Sequence, residues 1–297
     1  MSQRGAAMSL PQNPALQATG TRSLLPRPLQ WIHLNSLDAP IVAVVWLLAF
    51  AHAAAIALPH WIPFALGLAC WSFYLLDRLL DARRSLHSAN FTRLRARHIH
   101  HWRFRQILFP LALAALAAAV FLAFAQMPRP AILRNGALTA VTLLYFSRVH
   151  GASPAQPSTF RFKELFVALI FTSACATPIL SRMQDRLIFL PVFLAYSALA
   201  WLNCCLIEVW EQPIASVLNP ALRIASAIAC ALVLMLAGIL APAHLRLALL
   251  SLCALSSAAL LFLLDRLRHR CTPLTLRIAA DLALLTPALL LLPGFNP

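Results

Sequence analysis

The chain has 297 residues, of which 61% are hydrophobic and only 11% charged, and its mean hydropathy is +0.77. Ordinary soluble domains carry about 25% charge, so this balance excludes a water-soluble globular protein and places the chain in a membrane. The net charge of +15 is arginine scattered through short loops, which fits anionic lipid headgroups and argues against nucleic acid, whose binders gather basic residues on one face.

In chain order, residues 1–35 come first. They are rich in Pro, Gln, Ser and Thr, with no apolar h-region and no small-residue cleavage site, and read as a disordered cytoplasmic tail. A transmembrane domain is expected over 36–297. Crossing the hydrocarbon takes about 20 apolar residues, and runs of that kind lie at 37–57, 61–80, 106–125, 131–147, 164–181, 187–208, 221–241, 245–264 and 275–293. Their Leu and Ala content, with no alternation of polar and apolar residues, favours helices over a barrel. The expected fold is therefore all-α, a polytopic bundle of about nine transmembrane helices around a central cavity. Pro110, Pro178, Pro191 and Pro287 fall inside these runs, where a missing N–H and a ring clash bend a helix.

Charge sets the expected orientation. Arg129, Arg134, Arg182, Arg186 and Arg246 fall on one side, and the large majority of the other basic residues on the opposite one. The positive-inside rule then makes the N-terminus cytoplasmic and, after nine crossings, the C-terminus external. The expected location is the inner (cell) membrane. The acids follow the arginines: Asp38, Asp77, Asp81, Glu164, Glu208, Glu211, Asp265 and Asp281 all sit at cytoplasmic helix ends, and only Asp185 lies outside. Topology rules reward no such bias in acids, so it points to a polar chamber at that face.

Two clusters carry the chemistry. In WSFYLLDRLLDARR, Asp77 and Asp81 are four apart and share a helical face with Tyr74 one turn earlier. Two such carboxylates suit Mg²⁺, which takes hard oxygen ligands and is held by one or two acids plus substrate phosphates. Neutralisation by Arg78, Arg83 and Arg84 at headgroup level is the other account of the same acids. In LNCCLIEVWEQ, Asn203, Glu208 and Glu211 reach the same membrane side, and the two glutamates are three apart.

These clusters, one after the second run and one after the sixth, resemble the motifs of the UbiA superfamily of intramembrane prenyltransferases. The resemblance implies nine helices around a cavity in which Mg²⁺ ions bridge both motifs to a polyprenyl diphosphate, whose prenyl group passes to a lipophilic acceptor. The family's first motif is N-D-x-x-D-x-x-x-D; here its positions read Phe73, Tyr74, Asp77 and Asp81. Its second is D-x-x-x-D, replaced by glutamates at a different spacing. By this resemblance Asp77 and Asp81 hold one metal and Glu208 and Glu211 another, while Asn203 positions substrate. Arg78, Arg93, Arg97 and Lys163 then face the diphosphate. Tyr74, Trp201 and Trp210 shield an allylic cation, although interfacial anchoring accounts for the same aromatics.

Two further classes stay open: a metal-free isoprenoid enzyme, cyclase-like, with a buried carboxylic acid as proton donor, and a non-enzymatic transport or lipid-binding bundle. His98, His100 and His101 suit a transition metal or simply a basic interfacial helix. Lys163 with Glu164 is an ion pair or a helix start, and Arg277 with Asp281, four apart, a buried structural pair. The seven cysteines show no C-x-x-C spacing and read as small reduced hydrophobes.

Overall fold

The computed structural model describes residues 26–87, 96–151, 163–211 and 244–292. Among them every regular element is helical, as a chain with no water to satisfy its backbone requires. The helices are α1 (Arg27–Leu34), α2 (Asp38–Ala53), α3 (Trp61–His87), α4 (Ala96–Arg103), α5 (Arg105–Gln126) and α6 (Arg129–Gly151). They continue with α7 (Lys163–Leu180), α8 (Leu190–Glu211), α9 (Leu245–Leu267) and α10 (Pro273–Ala283). Short 3₁₀ turns at Leu187–Phe189, Arg268–Arg270 and Thr286–Leu291 extend α8, α9 and α10.

Six of these units are long and apolar enough to cross a membrane, and the bent pair α1 and α2 makes a seventh if counted as one span. The chain is a multi-pass membrane protein in its build. Large apolar side chains point outward where a soluble protein would place charge: on α5 alone Ile107, Phe109, Leu111, Leu113, Val120, Phe121 and Phe124 are exposed. Such a surface is stable only against lipid.

The sequence boundaries are altered at three places. Arg27–Leu34, expected within the tail, is helical and turns 91° into α2. The expected first span is itself only 16 residues long, about 24 Å at helical rise, and falls short of the hydrocarbon. The last run breaks after Ala283 and resumes as the 3₁₀ turn at Thr286–Leu291, with Pro287 at its start, where a missing N–H is harmless. The expected fourth span lies on α6, which has the length but also carries Arg129, Arg134 and Arg148. The expected seventh, 221–241, lies outside the described residues.

α2 forms the centre. It packs against α3, α7, α9 and the terminal 3₁₀ turn, and α8 closes the other side against α7, α9 and α10. The fully buried Trp46 stacks on Tyr196, with ring centroids 3.9 Å apart, and meets Phe50 edge-on at 5.6 Å. Its indole N–H donates to the Leu284 carbonyl at 2.8 Å, satisfying an acceptor freed where α10 ends. α5 lies outside this core against α3. It buries Leu108 and, with it, Ala112, Ala115 and Ala119, small residues of the kind by which helices approach closely in lipid.

Two non-glycine residues have left-handed backbones, Ser36 with φ 58° and Ala55 with φ 55°. An L-residue in that region costs about 1–2 kcal/mol. Ala55 is exposed and follows the end of α2, so Ala55→Gly removes strain without opening a cavity. Allowing for glycine's greater unfolded entropy, the variant gains up to about 1 kcal/mol, read as a higher midpoint of thermal unfolding in detergent.

Candidate functional site

The α1–α2 corner builds a polar cluster. α1 ends at Asn35, Ser36 takes the left-handed turn, and the chain re-enters helix at Asp38. This reversal brings the His33 ring back over the start of α2, where Nδ1 donates to Asp38 Oδ2 at 2.7 Å. Asp38 also accepts from the Ala39 N–H at 3.0 Å and stands at a helix N-terminus, where the backbone favours negative charge. From α10, Asp281 places Oδ2 3.8 Å from His33 Nδ1. One ligand atom from each of the three residues lies within 4.8 Å of the others. The side chains of His33 and Asp38 are only 4% and 6% exposed, and Asp281 Oδ2 is shielded without a hydrogen-bond partner.

Neighbours fix this corner. The Trp71 indole donates to the Asn35 carbonyl at 3.0 Å. On α4, buried His101 donates from Nδ1 to the Arg97 carbonyl at 2.8 Å, so its Nε2 is left to accept the Ser36 hydroxyl at 3.0 Å. Burial, aided by nearby Arg78, His100 and Arg97, pushes the His101 imidazole from its ordinary 6.5 down to about 4. His100 is also lowered by burial.

The sequence candidates fall around this cluster. Arg78 is buried, its guanidinium 4.4 Å from the centre of the Tyr74 ring and donating to the Tyr74 hydroxyl. It stands in electrostatic reach of Asp38, Asp281 and Asp77. Asp77 and Asp81 are half-buried, and the Tyr145 hydroxyl on α6 lies in electrostatic reach of both and of Glu164. Lys163 at the start of α7 bridges two acids, with Nζ 2.7 Å from Glu208 Oε1 and 3.3 Å from Glu164 Oε1. Lys163 thus both opens α7 and pairs with Glu164, and Glu208 is a second partner that the sequence did not indicate. Cys204 lies between the groups, within reach of Glu164, Glu208, Asp281 and Arg277.

Other candidates land elsewhere. Asn203 is buried and its side-chain carbonyl has no hydrogen-bond partner. Trp201 is half-buried on α8. The Trp210 indole donates to Asp265 at 3.0 Å, and Arg268 approaches the same carboxylate at 3.4 Å, which makes Trp210 an anchor of α8 on α9. Arg97 contributes its carbonyl to His101. Glu211 closes α8, but its side chain, like Arg93, lies outside the described residues. Among the described residues the one convergent set of three possible metal ligands is His33, Asp38 and Asp281, and the histidines of α4 do not form one.

Sequence reasoning passed over His33, because it lay in a stretch assigned to the tail, and paired Asp281 with Arg277 alone. The available signal was His33 five residues before Asp38 with the turn-forming Asn35 and Ser36 between them. Comparison with protein-family models, curated proteins and solved structures finds no match.

The His101 arrangement sets a pH dependence. A base held below its ordinary value is neutral in the fold and takes a proton more readily when unfolded, so stability is full above about 6.5 and falls as pH drops toward about 4. The loss is at most about 3 kcal/mol. Unfolding midpoints measured across that window decline in the wild type, and His101→Gln, which cannot titrate, removes this part of the decline.

Proposed function

We propose that the chain is a divergent intramembrane prenyltransferase of the UbiA kind, transferring a polyprenyl group from its diphosphate to a lipophilic acceptor. The observation that supports this most directly is that Tyr145 on α6 stands in electrostatic reach of Asp77, Asp81 and Glu164 together. Acids from α3 and α7 thus share one neighbour, and Cys204 on α8 is in the same reach of Glu164, Glu208 and Asp281. In this reading nine spans surround a polar chamber in the inner membrane, with the N-terminus cytoplasmic and the C-terminus outside.

The donor set of Asp77 and Asp81, two half-buried carboxylates on one helical face, fits Mg²⁺. When bound there, Mg²⁺ supplies charge that stabilises a departing diphosphate. Glu208 fits a second ion poorly, because the Lys163 ammonium already occupies its carboxylate at 2.7 Å. Lys163, which holds Glu208 and Glu164, has a third N–H donor to turn to a phosphate oxygen. Arg78, held over Tyr74, keeps a buried positive charge beside the acids, and the Tyr74 ring offers an apolar face to a developing carbocation.

Two experiments test the reading. Asp77→Asn keeps the side chain's size but removes the charge Mg²⁺ requires, whereas Asp185→Asn makes the same change at an exposed acid before α8. Calorimetric titration with a prenyl diphosphate at fixed Mg²⁺ shows binding lost in the first variant and unchanged in the second; equal affinity of wild type and Asp77→Asn removes the proposal. For the topology, a reporter fused after Arg97 reads cytoplasm and one at the C-terminus reads the opposite side. Both on one side would contradict nine spans.

A further inference from the structure

We propose that His33, Asp38 and Asp281 form a site for a divalent cation of the Zn²⁺ and Mn²⁺ class, distinct from the Asp77 and Asp81 carboxylates. Three separate elements, α1, α2 and α10, deliver one ligand atom each to a volume whose donors lie within 4.8 Å of one another. The set is one imidazole nitrogen and two carboxylate oxygens. Mixed nitrogen and oxygen donors of this kind suit Zn²⁺, Mn²⁺ and Fe²⁺ better than Mg²⁺, which prefers oxygen alone.

Counting protons shows why a cation belongs there. A neutral imidazole carries one N–H, and His33 donates it to Asp38 at 2.7 Å. That proton does not serve Asp281, whose Oδ2 is shielded from solvent and lies 3.8 Å from the same nitrogen, and whose side chain stands in hydrogen-bond reach of Asp38, another carboxyl group. Two buried carboxyl groups facing each other need a shared proton or a cation between them, and the imidazole nitrogen beside them favours the cation. A cation between the three residues is coordinated by His33 Nδ1, with the imidazole proton carried on Nε2, and by an oxygen from each aspartate. Three protein ligands also leave positions open for water or an exogenous oxygen donor.

Arg78 and Arg277 oppose the cation, since both stand in electrostatic reach of these carboxylates. Arg78 is committed to Tyr74, above whose ring it is stacked. Arg277, one turn before Asp281 on α10, is the charge whose removal strengthens binding.

The test uses the full-length protein, free of any histidine tag, stripped with chelator and titrated with Zn²⁺ by equilibrium dialysis with elemental analysis. Co²⁺ serves as the spectroscopic probe of coordination. Wild type takes up one saturable equivalent. His33→Ala and Asp281→Asn lose affinity by more than the 10–100-fold typical of outer-shell changes, while Asp77→Asn and His100→Ala keep it and Arg277→Gln tightens it. Size-exclusion profiles identify variants that fail to fold, and the tightening in Arg277→Gln does not depend on them. The proposal is overturned if wild type shows no saturable uptake, which leaves a carboxylate pair sharing a proton. It is equally overturned if uptake is insensitive to His33 and Asp281, or is lost only in Asp77→Asn. Because the readout is Zn²⁺ and not diphosphate binding, its failure is separate from failure of the prenyltransferase reading.

Discussion

A hydrogen bond from the Trp46 indole to the Leu284 carbonyl ties the end of α10 to α2, the two helices that also bring Asp281 and Asp38 together. Asp38 lies two turns before Trp46 on α2, and Asp281 one turn before Leu284 on α10. The α2–α10 contact thus has an apolar level at Trp46 and a polar one at Asp38. Trp46 holds its position because Tyr196 and Phe50 pack on its ring in the core. Slippage of α10 by one residue would rotate Asp281 by about 100° and aim it away from His33.

Charge in this interior is matched locally. Lys163 sits between Glu164 and Glu208, Arg268 beside Asp265, and Arg78 in reach of Asp38 and Asp77. Each combination limits the desolvation penalty that an isolated ion incurs away from water. Around Asp281 the matching is incomplete at one oxygen, and that local imbalance separates a site from a structural ion pair.

The helices were legible because their signal is local. An apolar run such as 106–125 falls within α5 almost residue for residue, since nothing but a helix satisfies its backbone in lipid. Asp77 and Asp81 were legible for the same reason, their common face following from spacing alone. The Lys163–Glu208 pair was not, because its partners are 45 positions apart and no local pattern joins them. His33 was hidden by composition: the prolines and polar residues before it gave the segment the look of a tail, while its burial comes from α10 and α4 packing over a corner that one left-handed residue makes.

The alanine face of α5 has a mechanical consequence. No solvent-driven force presses this helix onto α3, because lipid tails are as apolar as its side chains; it adheres through the close fit of Ala112, Ala115 and Ala119, and dispersion fades within an ångström of separation. At one end Arg105 lies over the Trp102 ring, a pair of the kind that anchors helices at headgroup level. At 22 residues, about 33 Å, α5 nearly equals the thickness of an average hydrocarbon layer. A thinner bilayer would tilt it about that anchored end and peel the fit apart from the far one, which makes α5 the part of the bundle most responsive to the lipid around it.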